Sequence, residues 1–141
     1  MTDRDWERIE ELRQSRGTFI YGFMLDAESI FFLQDFAEAD FVHDANTGQR
    51  FHFAGSALSD RVFLAGDFNH WQQIEMQRAP RVFTQFGLSL PLSTFANARK
   101  QFKFVANGNL WIEPPASASN VVDAGLGDPT TRNLVLVLPN R

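Results

Sequence analysis

Phenylalanine in this chain comes in short apolar runs, each broken within a few residues by Asn, Gly, Pro or Asp. Such runs are too short for amphipathic helices and carry the length and punctuation of β-strands. The segments 18–25, 29–36, 39–43, 49–54, 61–66, 82–90, 101–106, 110–112 and 133–138 fit that description. A content of 15 Phe against 1 Tyr adds a bias toward β structure. Many short strands with turn signals between them predict an all-β sandwich or barrel. Alternation is cleanest in Arg50-Phe51-His52-Phe53, where Phe51 and Phe53 share a face and Asn46-Thr47-Gly48 supplies the turn of a hairpin. Between Glu113 and Arg132 the chain is rich in Pro, Ser, Ala and Gly and is expected to be an irregular loop.

One segment departs from the β pattern. Residues 3–16 place Trp6, Ile9 and Leu12 among Glu and Arg, with Thr2 or Asp3 as N-cap and Gly17 to end the run. This predicts a short N-terminal helix, read as a lid on the domain edge or as a partner-binding element. At 141 residues the chain suits one core. We expect residues 1–49, with the helix and additional strands, to form one compact unit with a sandwich at 50–141.

Charge and composition narrow the function classes. A net charge of −4 and a pI near 5.3 leave no basic footprint for nucleic acid. The absence of cysteine removes disulfides and thiolate metal sites. His43, His52 and His70 fall in different expected elements, so no metal or other cofactor is expected. The polar start of the chain and the shortness of its apolar runs predict a cytoplasmic protein without a membrane span. No nucleophile elbow, phosphate loop, metal-ligand spacing or paired-acid signature is present, so catalysis is not expected. The acidic cluster Asp35, Glu38, Asp40 and Asp44 reads as a solvated strand edge.

The tryptophans carry more information. Trp71 ends Asp67-Phe68-Asn69-His70-Trp71 after an expected strand, and Trp111 follows the turn Asn107-Gly108-Asn109. A lone tryptophan in a β-rich domain is more often core than ligand contact. Lys103, however, stands between Phe102 and Phe104, so burying the two phenylalanines turns it outward. Flat rings that stack on the C–H face of a sugar, beside a polar hydrogen-bonding group, form a carbohydrate cradle.

These residues also carry a resemblance. Val62-Phe63-Leu64-Ala65-Gly66-Asp67-Phe68-Asn69-His70-Trp71, Met76-Gln77-Arg78, Leu90-Pro91-Leu92, Phe102-Lys103-Phe104-Val105 and Trp111-Ile112-Glu113-Pro114 occur in that order. The pattern resembles the glycogen-binding module of the AMP-activated kinase β subunit. It is similar, too, to the early-set domain preceding the barrel of branching and debranching enzymes, over about residues 50 to 138. The resemblance implies an immunoglobulin-like early-set sandwich that binds α-1,4-glucan on an open surface without catalysis. By position it implies sugar contacts from Trp71, Lys103, Trp111 and Leu126, and a contact asparagine falling at Arg132 or Asn133. Asn107 stands where the family has an acid, keeps the turn chemistry, and is expected to donate to sugar hydroxyls. The alternative is a protein-interaction or scaffold domain of early-set fold that binds no sugar. Residues 1–49 lie outside the resemblance and could supply a surface for a protein partner.

Overall fold

The structure, a computed structural model, describes residues 1–16, 21–36, 41–95, 99–115, 117–123 and 132–137. Leu126 lies outside the described residues. The chain folds as a β-sandwich of two antiparallel sheets with one N-terminal helix, α1 (Asp3–Arg16). In chain order the strands are β1 (Phe23–Leu25), β2 (Ser29–Asp35), β3 (Phe41–Asp44), β4 (Arg50–His52), β5 (Val62–Gly66) and β6 (Ile74–Glu75). There follow β7 (Gln77–Arg78), β8 (Gln85–Pro91), β9 (Arg99–Ala106), β10 (Leu110–Ile112), β11 (Val121–Asp123) and β12 (Arg132–Val137).

The smaller sheet runs β1-β2-β8-β7 and the larger β11-β12-β9-β10-β3-β4. Strand β9 organises the larger sheet. Phe102 pairs with both Leu134 and Gly66, and Val105 with both Trp111 and Phe63. So β5 lies along one side of β9, while β12 and β10 share the other, and β6 pairs with the far side of β5. Strands of the first 49 residues enter both sheets: β2 pairs with β8 from Ser29↔Pro91 to Asp35↔Gln85, and β3 lies between β10 and β4.

Alternation decides what is buried. Phe23, Ile30 and Phe32 face inward from the smaller sheet, joined by Phe86, and meet Val42, Leu64, Phe102, Phe104, Ile112 and Leu134 of the larger one. Phe32 and Phe102 bridge the sheets edge-to-face at 5.2 Å. The other parity of the smaller sheet, Met24, Phe31 and Leu33, is apolar as well and needs cover. Helix α1 supplies it, packing Ile9 and Leu12 there with Trp6 alongside. The helix therefore covers a sheet face and not the edge expected for it, because two apolar faces of β2 cannot both be buried by one partner sheet.

Thr2 caps α1 reciprocally: its Oγ1 accepts from the Asp5 amide at 3.2 Å while its own amide donates to Asp5 Oδ2 at 3.0 Å. Arg8 then fixes the helix to the β1–β2 turn by a two-pronged pair with Asp26 at 2.9 and 3.0 Å. Gly87 on β8 makes the close approach possible, since a Cβ there would stand 2.7 Å from Trp6 Cη2 and 3.2 Å from Met1 Sδ. We expect Gly87→Val to lift α1 and cost about 1–2 kcal/mol by overpacking. Limited trypsin digestion checks this: cleavage within residues 1–16 should accelerate, and an unchanged rate would mean that Trp6 does not hold the helix down.

Three differences from the sequence expectation have identifiable causes. The apolar start of segment 82–90 does not extend β8, because Val82 and Phe83 lie in the turn closed by the Gln85 amide donating to Val82 O. The stretch expected to be irregular contains β11, which forms through pairs such as Val122↔Asn133 along β12. The two-residue strands β6 and β7 carry too little sequence for any period and exist only through β5 and β8. Among the described residues no helix is long and apolar enough to cross a membrane.

Candidate functional site

The larger sheet has an inner face given to the core and an outer face away from α1. Its register lays out one transverse row on the outer face: Arg50↔His43↔Trp111↔Val105↔Phe63↔Glu75, crossing β4, β3, β10, β9, β5 and β6. Trp111, Phe63 and His43 are half-buried in it and Val105 is fully buried. Trp111 is outward because its neighbours Leu110 and Ile112 pack inward.

Trp71 occupies the connection from β5 to β6. His70 and Trp71 both adopt left-handed backbone, with φ of 60° and 61°. For a side chain as bulky as tryptophan that conformation is strained, and it is held here by the Trp71 amide donating to Gly66 O at 2.8 Å. The residue keeps 37% of its surface exposed. From the same connection, Gln73 donates to Gly108 O at 3.0 Å, drawing the segment toward the β9–β10 hairpin.

Lys103 shares the outer face with Trp111, but it is not the exposed arm that alternation suggested: only 4% of it is accessible. Alternation fixes a face, not an exposure. Lys103 belongs to a strand flanked on both sides and stands opposite the buried Ala65, inside the sheet and away from its edges. Asn133 lies on the outward parity of β12 and donates through Nδ2 to Gln101 Oε1 at 3.0 Å. Arg132 does not join this group. Its Nη2 donates to Pro114 O at 3.1 Å, and its buried Nε has no acceptor among the described residues.

Asn107 is exposed, yet its amide is already engaged. Oδ1 accepts from the Arg61 amide at 2.8 Å and Nδ2 donates to Asp60 Oδ1 at 3.1 Å, so its first task is holding the hairpin against the start of β5. The turn chemistry expected of it is present: Asn107 and Gly108 have φ of 53° and 81°, and the Asn109 amide donates to Ala106 O. Near the same hairpin, Arg61 grips Glu75 and holds its carboxyl below the usual carboxylate range through their hydrogen bond.

The structure thus brings Trp111, Lys103 and Asn133 to one face and places Trp71 beyond the end of β5 at its margin. Sequence reading missed Phe63, His43 and Arg50 as members of the same face. Alternation gives each strand's parity, whereas lateral neighbours follow from pairing that no single strand encodes. Among the described residues no group of three or more His, Asp or Glu side chains is placed to hold a metal ion. Neither a family model nor a curated protein matches the sequence.

Proposed function

We propose that this chain is a non-catalytic module of immunoglobulin-like early-set type that binds α-1,4-linked glucan of the glycogen or starch kind. Trp71 and Trp111 are its stacking platforms, and Lys103 and Asn133 belong to the floor between and beside them. The observation that carries this reading is that neither tryptophan joins the core and that α1 packs against the other sheet, leaving their side of the sandwich uncovered by it. Stacked rings on an open face, with few polar contacts each netting about 0.5–1.5 kcal/mol, give modest affinity. A Kd on the order of 0.1 mM, about −5.5 kcal/mol, is the scale expected.

The burial of Lys103, together with exposed Leu58, Val82 and Phe83 at 86%, 43% and 45%, favours a second reading: a protein-interaction domain of the same fold. Titration followed by tryptophan fluorescence separates the two. Saturable quenching by maltoheptaose, with none by a β-1,4-linked oligomer, is the expected result. A flat response to both sugars up to tens of Kd on that scale would replace the glucan reading with the protein-interaction one.

A further inference from the structure

Strands β3 and β4 continue the outer face beyond Trp111, and their side chains are set for more than solvent. Arg50 is held on two sides: its Nε donates to Glu113 Oε2 at 2.8 Å, and its Cζ lies 3.8 Å over the Phe41 ring. Glu113 is buried, whereas the Arg50 side chain stays 48% exposed. A guanidinium carries five N–H donors, and among the described residues Nε alone is hydrogen-bonded, so a pre-positioned fork of donors faces the surface. Beside it, His43 pairs across the sheet with both Arg50 and Trp111, joining the fork to the tryptophan without a gap. Six positions at roughly 4.8 Å per strand make a track of about 24 Å, several sugar rings long.

We infer that a bound glucan crosses the strands along this row, past Phe63 and Trp111 and onto β3 and β4, with Trp71 flanking it beyond the end of β5, and that Arg50 beside the half-buried His43 ring forms an additional subsite for neutral hydroxyls. The inference rests on the glucan reading above and assigns that site its direction and its length preference. A chain crossing the strands from β5 meets the Phe63 and Trp111 rings first and the Arg50 donors last. Segment 1–49, through β3, then contributes directly to recognition. Short oligomers fill the tryptophan platforms alone, and only longer ones reach Arg50.

The test is calorimetric titration of the full chain with maltotriose, maltopentaose and maltoheptaose. Wild-type protein should bind the longest oligomer at least tenfold tighter than the shortest. His43→Ala, and separately Arg50→Met combined with Glu113→Gln so that no buried carboxylate is stranded, should each weaken maltoheptaose binding about fivefold, the worth of one or two polar contacts. Maltotriose affinity and melting temperature should hold. A length profile unchanged by both variants overturns the subsite and leaves the glucan reading standing. An equal loss at every length also overturns it, by placing these residues in the central site. Failure of the wild type to bind any of the three sugars removes both.

Discussion

Trp71→Ala is expected to weaken maltoheptaose binding at least tenfold while shifting the melting temperature by no more than about 2 °C. The two halves of that expectation come from different features of the same residue. More than a third of the Trp71 surface is exposed, at 37%, and the residue is not part of the core cluster, so its truncation opens no cavity in the core. Its backbone is left-handed at φ 61°, a conformation costing a non-glycine residue about 1–2 kcal/mol. Stability is therefore not the reason for a tryptophan here, and stacking on a ligand ring is worth the roughly 1.4 kcal/mol that a tenfold affinity change represents. Trp71→Gly sharpens the case, because glycine adopts this φ without strain. It should bind as poorly as the alanine variant and melt at or above the wild-type temperature. Wild-type affinity in either variant would remove Trp71 from the site, and a large loss of stability in the glycine variant would show the ring to be structural.

What the sequence revealed of this molecule follows from which interactions are local. Short apolar runs bounded by turn residues located β2, β5, β9 and β10 closely, and in the last two Phe102 and Phe104, or Leu110 and Ile112, announce the inner face by spacing. The helix was legible from its cap and stripe, but its position was not. That depended on Phe31 and Leu33, on the same strand as the core residue Phe32, needing a second cover. At the site, the outward parity of Lys103 could be read and its burial could not, because burial is set by flanking strands far away in sequence. Asn107 shows the same limit. Its turn was readable from Asn-Gly, while the bond to Asp60 spans 47 residues and has no local trace. Arg50 and His43 joined the face only through the lateral register of β4, β3 and β10.

Long-range fixing of this kind is concentrated at Arg78, and its loss should produce the largest drop in stability of any polar substitution discussed. Its guanidinium donates to four backbone carbonyls: Gly55 at 3.0 Å, Ala57 at 2.8 Å, Asp60 at 3.3 Å, and Phe83. Its Cζ also lies over two rings, 4.1 Å from the Phe83 centroid and 4.6 Å from that of Phe86. One side chain on β7 thus ties the segment before β5 to the turn before β8, with neutral dipoles as acceptors in all four of these bonds. Arg78→Met keeps much of the stem but leaves the carbonyls without their donors, and we expect a cost of about 3 kcal/mol from charged hydrogen bonds and cation–π contact together. For a domain of this size that lowers the melting temperature by roughly 10 °C. Lysine should rescue little, since a compact ammonium cannot span divergent carbonyls or stack as a plane. The damage should also reach the site, because Asp60, held by Arg78 through its carbonyl, holds Asn107 through its carboxylate. Thermal melts of the methionine and lysine variants decide the matter. A lysine variant melting within about 1 °C of wild type would mean that charge alone, and not the planar fork, secures these loops.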